Sequence, residues 1–250
     1  MKRSFLNIGD NVLTCMVQAD TPDRVKELIT LARAEGAEAF GMQLCRMKPE
    51  YRNREVYEEL FSFASIEPVY VTNYRLHFNE GKSDDTLASE LIEYAECGAT
   101  LCDVIGDLFA PCKGELTTDN EAIKKQMKLI DEIHARDKEV LMSSHVCEFT
   151  PAERVLEIAL EHKRRGADIA KIVTGASTEE EEIENIRIVN LLKKELGIPF
   201  LFLACGNCRI HRRIGGTVGS CMSLCVYEHD KFATKEQPLL RDMRALKSLL

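Results

Sequence analysis

Residues 166–180 read GADIAKIVTGASTEE and contain the repeating element of the chain. A glycine that ends a helix is followed at once by a short apolar strand, predicted over 168–176. Ser177 and Thr178 then precede acidic residues, which is the pattern of a helix N-terminus. A buried parallel strand joined to a helix in this way is one βα unit.

The same unit recurs about every 30 residues along the chain. Helical patterns lie between the apolar runs, and some begin at a capping hydroxyl, such as Thr21 or Thr150. Several of these helices end at a glycine, namely Gly36, Gly98, Gly166 and Gly197. Eight apolar runs are predicted as strands, over residues 11–19, 37–44, 68–75, 100–108, 139–146, 168–176, 199–205 and 220–227.

Eight strands, most of them followed by a helix, predict an α/β fold in which residues 1–250 form a single closed (β/α)8 barrel. No linker rich in proline, glycine or serine divides the chain. The structural alternative is a doubly wound open sheet, which usually has a glycine-rich turn after its first strand. Here that turn reads Ala19-Asp20-Thr21-Pro22-Asp23 and lacks the GxGxxG pattern.

Composition limits the partners that the protein is expected to have. The chain has 250 residues, of which 45% are hydrophobic and 30% charged, and its net charge of -8 is unsuited to binding a polyanion such as nucleic acid. No apolar run approaches the roughly 20 residues that span a bilayer. Residues 1–20 lack the apolar stretch and cleavage site of a signal peptide. We therefore expect a cytoplasmic protein without a nucleic acid or membrane partner.

The ten cysteines are scattered through apolar, strand-like segments and are expected to be reduced thiols. Cys205 and Cys208 have the spacing of half a zinc site or of a redox motif. No second pair at a suitable spacing completes a four-ligand site. We therefore expect neither a metal nor a cofactor, and the role of this pair stays open.

Lys171 is the most informative polar residue because it interrupts the apolar strand 168–176. In a barrel of this type the active site lies at the C-terminal ends of the strands. An amine inside such a strand must be either paired or neutral, and a neutral amine can attack a carbonyl carbon to form an imine. The alternative is a lysine whose stem crosses the strand and whose amine reaches solvent at the rim.

His145 follows the run from Val140 to Ser144 and is predicted near the end of the strand that precedes the Lys171 strand. An imidazole there can take a proton from the carbon next to an imine and return it to a departing hydroxyl. The alternative is a histidine that is hydrogen-bonded at a strand end and has no catalytic role.

Two stretches, MSSHVCEFTP (142–151) and GADIAKIV (166–173), resemble the type I 3-dehydroquinate dehydratase family. The resemblance covers most of the chain and implies a TIM barrel of the class I aldolase type. It implies a hydro-lyase of the shikimate pathway, in aromatic amino acid biosynthesis, that converts 3-dehydroquinate to 3-dehydroshikimate and water. In this family the lysine, here Lys171, forms an imine with the ketone. The histidine, here His145, removes the α-proton and assists the loss of water.

Tyr74-Arg75 followed by Asn79-Glu80-Gly81 is similar to the family's arginine at a strand end and its Glu-Gly loop, although the loop is one residue longer here. The resemblance implies that Arg75 binds the substrate and that Glu80 is the carboxylate that orients the catalytic histidine. For Arg75 the alternative is a surface ion pair.

The stretch IHRRIGGTVGS (210–220) resembles a family motif that contains the arginine for the substrate carboxylate, which implies this role for Arg212. A planar guanidinium suits a carboxylate because it can donate two parallel hydrogen bonds. A surface ion pair is again the alternative. Gln237 falls where the family has a substrate-binding glutamine in its last loop.

The chain departs from the family at the end of the site that binds hydroxyl groups. Gly41-Met42-Gln43 stands where the second strand of the family has a Glu-x-Arg pair, and Gln43 is retained as a candidate substrate contact. Val146, Ala233 and Lys235-Glu236 replace an aspartate, a serine and a Pro-Gly pair of the family. Loss of groups matched to substrate hydroxyls can reduce discrimination for the original substrate by orders of magnitude.

The leading hypothesis is a Schiff-base dehydratase that acts on a carboxylate-bearing β-hydroxyketone, either 3-dehydroquinate or a related keto acid. A relative of the class I aldolases would share the lysine and the barrel but cleave a carbon-carbon bond. A hypothesis of a different class is a catalytically silent barrel that binds a keto acid. A small keto acid is the expected partner in each case, and the oligomeric state is open, with a homodimer as one candidate.

Overall fold

The computed structural model describes residues 4–7, 10–207 and 209–249, with Arg209 described by its backbone alone. Cys208, the second member of the predicted cysteine pair, lies outside the described residues. In the described residues, strands and helices alternate, and none of these helices is long and apolar enough to cross a bilayer. The strands are β1 (Val12–Val17), β2 (Ala39–Gln43), β3 (Val69–Thr72), β4 (Leu101–Ile105), β5 (Glu139–His145), β6 (Ile169–Ala176), β7 (Phe200–Gly206) and β8 (Met222–Cys225). The α-helices are α1 (Pro22–Glu35), α2 (Arg54–Phe63), α3 (Asp84–Cys97), α4 (Asn120–His134), α5 (Ala152–Arg164), α6 (Glu179–Glu195), α7 (Arg209–Val218) and α8 (Leu240–Leu249).

The eight strands form one parallel sheet in the order β7-β6-β5-β4-β3-β2-β1-β8. The sheet curls into a nearly closed barrel, because the segment before β8 reaches back to β7. There, the amide of Cys221 donates to the carbonyl of Phe200 at 2.8 Å, and the amide of Phe202 donates to Ser220 Oγ at 3.2 Å. The predicted (β/α)8 fold is confirmed, and each strand ends within three residues of its predicted limits.

The helix ends show which capping predictions hold. Thr21 caps α1 and Thr178 caps α6, and Gly36 ends α1 in the left-handed conformation, with φ 98°. The prediction that Thr150 caps α5 is wrong, because its hydroxyl donates to the carbonyl of Glu148 at 3.0 Å. The first amide of α5 instead donates to Glu184 of the next helix, so a tertiary contact replaces the local cap.

The core has an inner layer, inside the barrel, and outer layers between the strands and the helices. Side chains alternate along β6: Ile169 and Val173 belong to the inner layer, whereas Ala170 and Ile172 pack in an outer layer with residues of α5 and α6. Because side chains of a strand alternate between its two faces, Lys171 points into the barrel. It is 4% exposed. The fold therefore places the amine of Lys171 inside the barrel.

Candidate active site

A cavity of about 580 Å³ opens at the C-terminal ends of the strands. Buried Lys171 and Tyr70 form its inner end, and His77 and Glu236 are exposed at its mouth. Six of the seven predicted site residues line this cavity, namely Gln43, Arg75, His145, Lys171, Arg212 and Gln237. This is the place at which barrels of this type carry their active sites.

The amine of Lys171 is buried and paired. Its Nζ donates to the hydroxyl of Tyr74 at 2.6 Å, to the hydroxyl of Tyr70 at 3.1 Å and to Asp103 Oδ2 at 3.2 Å. An ammonium group has three N–H donors, so these three acceptors satisfy it. The structure therefore excludes the alternative in which the amine of Lys171 reaches solvent at the rim of the barrel.

Asp103 of β4 is one of two site carboxylates that sequence reasoning missed. Its Oδ1 accepts from Ser143 at 2.5 Å, and its Oδ2 accepts from Tyr70, Tyr74 and Lys171. Burial alone would raise the pKa of Asp103, but the Lys171 charge and the three hydroxyl donors outweigh burial and hold it below its usual range. The barrel thus encloses an ammonium–carboxylate pair whose polar atoms are satisfied by hydroxyls.

The two tyrosines next to this pair stay protonated. Burial raises the pKa of both Tyr70 and Tyr74 well above its ordinary value, and the negative charge of Asp103 raises it further. A signal for Asp103 was present in the sequence, because a carboxylate interrupts the apolar strand 100–108 as the amine of Lys171 interrupts its own strand. No comparable pattern marks Tyr70 of β3 or Tyr74 just beyond it, because tyrosine is common in strand-like sequence.

His145 is the last residue of β5 and faces the same cavity. Its Nδ1 lies 2.5 Å from Glu115 Oε2, and the same carboxylate oxygen accepts from the His145 amide at 3.2 Å. This contact favours the tautomer with the proton on Nδ1 and leaves the Nε2 lone pair for a reacting group. The strands pair with Ser143 opposite Lys171, so His145 is two residues, about 6–7 Å, closer to the mouth of the cavity.

Glu80 does not reach the histidine. It is exposed, it does not line the cavity, and the carboxylate on the imidazole is Glu115, from the loop between β4 and α4. The physical reason is a single turn of 3-10 helix, His77–Asn79. This turn buries the side chain of Asn79 and directs Glu80, the next residue, toward solvent. The prediction that Glu80 orients His145 is therefore corrected to Glu115.

Arg75 lines the cavity, but its guanidinium is largely occupied. Nε and Nη2 donate to the two oxygens of Asp84 at 2.7 and 2.8 Å, and Nη1 and Nη2 donate to Asp107 at 2.8 and 3.1 Å. Burial alone would lower the pKa of Arg75, and the two carboxylates raise it above its usual range. An arginine has five N–H donors, so one on Nη1 remains for a ligand.

Arg212 is the more available cation. Its Nε donates to the carbonyl of Ala204 at 2.7 Å, and in the described part of the chain no carboxylate forms an ion pair with it. Burial lowers its pKa, so an anion bound beside it would offset an unfavourable environment. Near it, Gln237 is buried and its Oε1 accepts from Gln18 at 3.4 Å, which adds a second amide, missed by the sequence analysis, to this side of the cavity.

The second strand shows what replaces the charged pair of the family. A Cβ at Gly41 would lie 2.2 Å from Met16 Sδ and 3.2 Å from the Tyr70 ring, so these two side chains fill the space. Gln43 lines the cavity and its amide lies 3.6 Å from Cys45 Sγ. The β1–β2 side of the cavity is therefore apolar at Gly41, and Gln18, Gln43 and Arg46 are the polar residues that line it.

The cysteines of the described ranges form no metal centre. The nine cysteines in the described ranges are free thiols, and no group of three or more His, Cys, Asp or Glu residues there could hold a metal ion. Cys147 and Cys205 line the cavity. Burial raises the pKa of the Cys147 thiol to about 11, so this group stays protonated near neutral pH.

The sequence and the fold were compared with those of known proteins. The model of the type I 3-dehydroquinase family matches residues 17–250. The type I 3-dehydroquinate dehydratase of Clostridium difficile, solved with covalently modified comenic acid, is 17% identical; the alignment covers 100% of this chain and 98% of that chain, with a TM-score of 0.81. The 3-dehydroquinate dehydratase of Geobacillus kaustophilus is 16% identical, with 96% and 91% covered and a TM-score of 0.81.

A third structure, the 3-dehydroquinate dehydratase of Aquifex aeolicus, is 18% identical, with 95% of this chain and 98% of that chain covered and a TM-score of 0.71. At sequence identities this low, the likeness to these three structures shows that this chain shares their fold. No curated protein matches the chain in sequence. Because the family model spans nearly the whole chain, the protein belongs to the type I 3-dehydroquinase family of lyases.

Proposed function

We propose that the protein is a Schiff-base dehydratase that removes water from a carboxylate-bearing β-hydroxyketone, with 3-dehydroquinate as the first candidate. The observation that carries the proposal is the placement of Lys171 Nζ and the His145 imidazole in one cavity on neighbouring strands. Membership of the type I 3-dehydroquinase family supports the same reaction class.

In the proposed reaction Lys171 attacks the ketone carbon, and loss of water from this adduct gives a positively charged imine. The imine withdraws electrons from the neighbouring carbon and so acidifies its proton. His145 Nε2 takes this proton while Glu115 holds Nδ1–H, and the resulting imidazolium returns a proton to the departing β-hydroxyl. Hydrolysis of the conjugated imine then releases the enone and restores the amine.

Arg212 is the proposed binding site for the substrate carboxylate. It lines the same cavity as Lys171 and forms no ion pair among the described residues, and burial lowers its pKa more than the nearby charge of Glu236 raises it. A guanidinium can bind a carboxylate through two parallel hydrogen bonds, which fixes the orientation of the ketone as well as its position.

A second candidate substrate is a keto acid with fewer hydroxyl groups than 3-dehydroquinate. The observation that favours it is the β1–β2 side of the cavity, where Met16 and Tyr70 fill the space above Gly41. Substrate hydroxyls placed against such a surface would lose their hydrogen bonds to water without replacement.

Borohydride reduction in the presence of 3-dehydroquinate tests the proposal. We expect a mass adduct on Lys171 and, without borohydride, growth of the absorbance of the conjugated enone. Lys171→Ala and Lys171→Arg should both lose the adduct and the turnover, because arginine keeps the charge but forms no imine. Substantial turnover by either variant would remove the lysine from the mechanism.

The same experiment separates the alternatives. Absence of both an adduct and a thermal shift with every carboxylated ketone tested would refute the proposed enzyme function. A thermal shift without an adduct would instead favour a catalytically silent barrel that binds a keto acid. An adduct without enone would require analysis of the products, since an aldolase would release two carbon fragments.

A further inference from the structure

Tyr74 occupies a position between the two charged groups of the barrel interior. Its hydroxyl accepts from Lys171 Nζ at 2.6 Å and donates to Asp103 Oδ2, also at 2.6 Å. The two bonds are shorter than the direct contact of 3.2 Å between the amine and the carboxylate. One phenol thus connects the ammonium to the carboxylate by a continuous path for a proton.

Tyr74 also faces the cavity. It is half-buried, lines the cavity with Lys171, and packs edge-on against His145 with ring centroids 5.3 Å apart. Tyr70 makes a similar pair of contacts, but its side chain is completely buried. Of the two phenols, Tyr74 is therefore the one that is partly open to a bound carbonyl compound.

The ion pair makes proton transfer a requirement of the reaction. An ammonium has no lone pair, so it must lose a proton before its nitrogen can attack a ketone. His145 is held by Glu115 and stands two residues nearer to the mouth than the residue opposite Lys171. The groups in hydrogen-bond contact with the amine are Tyr70, Tyr74 and Asp103.

We propose that Tyr74 is the acid-base catalyst of imine formation and hydrolysis, carrying protons among Lys171 Nζ, Asp103 and the substrate oxygen. This inference rests on the proposed Schiff-base function. It divides the chemistry between two systems: Tyr74 with Asp103 makes and breaks the imine, and His145 with Glu115 removes the α-proton and assists the departure of the β-hydroxyl.

The step balances without a co-reactant. One proton of the ammonium passes to the Tyr74 oxygen as the phenol proton passes to Asp103, which leaves a neutral amine and a neutral carboxyl. The amine forms the C–N bond, and the carbonyl oxygen takes up two protons in turn, one from the nitrogen and one returned by Asp103 through Tyr74. The C–O bond then breaks, water leaves, and the nitrogen keeps one hydrogen as the charged imine.

The test measures imine formation separately from turnover. With 3-dehydroquinate as the probe, Tyr74→Phe should slow the appearance of the borohydride-trapped adduct by about 10²–10⁴-fold, the range of general acid-base catalysis. It should slow exchange of the ketone oxygen with ¹⁸O-labelled water by the same factor. His145→Ala should still form the adduct and exchange the oxygen, but release no enone.

Tyr51→Phe is the matched control, because Tyr51 is a half-buried tyrosine outside the cavity whose hydroxyl has no hydrogen-bond partner in the described residues. It should match the unaltered chain in every measurement. If Tyr74→Phe does not fold, 3-fluorotyrosine at this position keeps the shape and makes the phenol more acidic, and a change in the adduct rate is then expected.

The outcomes distinguish a failure of the proposed Schiff-base function from a failure of the proposed role of Tyr74. If the unaltered chain gives no adduct with 3-dehydroquinate, the Schiff-base function with this substrate fails, and the role of Tyr74 in it fails too. If the unaltered chain gives the adduct and Tyr74→Phe, or the fluorinated chain, gives it at the same rate, only the role of Tyr74 is overturned.

Discussion

His162 of α5 makes the stability of the barrel depend on pH. Its side chain is wholly buried, and its Nε2 lies 2.9 Å from Ser144 Oγ, which donates to the carbonyl of Glu115 and therefore accepts from the imidazole. Nδ1 has no partner among the described residues, so a proton there would be buried without an acceptor. Burial, helped by the charge of Arg165, lowers the pKa of His162 to about 3.

The sign and size of the effect follow from proton linkage. In the unfolded chain the pKa of His162 is about 6.5. Between pH values of about 6.5 and about 3, the unfolded state therefore binds more protons than the folded state. The contribution of neutral His162 to the free energy of unfolding is therefore fully present above the pKa of the unfolded state and is lost as the pH falls below it. A pH of about 5 lies about 1.5 units below the unfolded pKa, which at about 1.36 kcal/mol per unit predicts a loss of about 2 kcal/mol.

Urea denaturation at about pH 7.5 and about pH 5 measures this loss. His162→Gln is the matched variant: it should be less stable than the unaltered chain at both values, but its pH-dependent loss should be smaller by about 2 kcal/mol. Contributions from His211, whose pKa burial also lowers, are the same in both chains and cancel. Equal pH-dependent losses in the two chains would refute the reasoning.

Three further predictions concern the cavity. Asp103→Ala should reduce the free energy of unfolding by about 3–5 kcal/mol, because it leaves a buried ammonium without a counter-charge. Lys171→Met should reduce it by less, since three hydroxyls still donate to the carboxylate of Asp103. Equal losses in urea denaturation would contradict this prediction. Gly41→Ala should reduce the free energy of unfolding by about 1–3 kcal/mol, because the new methyl group clashes with Met16. In a double-mutant cycle with Met16→Ala, the loss in the double variant should be smaller than the sum of the losses in the two single variants. Strict additivity would mean that the two side chains do not compete for this space. Arg212→Lys should raise KM about tenfold or more with a smaller change in kcat, because a point charge replaces a bidentate donor; steady-state kinetics with unchanged KM would exclude Arg212 from substrate binding.

The fold was predictable because local signals agree along the chain. The apolar runs alternate with helical patterns, several of which begin at a capping residue or end at a glycine, and the alternation in β6 fixes the side of the strand on which Lys171 lies. The errors occur where tertiary contacts replace local ones. The cap predicted at Thr150 is supplied by Glu184 from another helix, and β4 stops at Ile105, before the predicted 108, where Gly106 packs against the backbone of Glu115.

The site was only partly predictable. Lys171 could be identified because an amine in an apolar strand needs an explanation, and the same reasoning applied to Asp103 would have found its partner. Glu115 could not be found in this way, because it lies 30 residues before His145 in a loop, and its contact depends on the path of that loop. The prediction for Glu80 failed because its position in a motif does not show in which direction the preceding turn, His77–Asn79, sends its side chain.

The arrangement of charges allows the two proposed acid-base systems to fit in one barrel. Lys171 and Asp103 neutralise each other deep in the interior, while His145 and Glu115 form a second pair nearer to the mouth. Tyr74 touches both, since its hydroxyl joins the first pair and its ring packs on His145. In the proposed mechanism a substrate that reaches Lys171 passes the histidine and meets the tyrosine, so its ketone oxygen and its α-carbon face different proton carriers. In the proposed mechanism this separation keeps the amine paired with Asp103 until a carbonyl oxygen is present to receive its protons, and the amine then acts as the nucleophile.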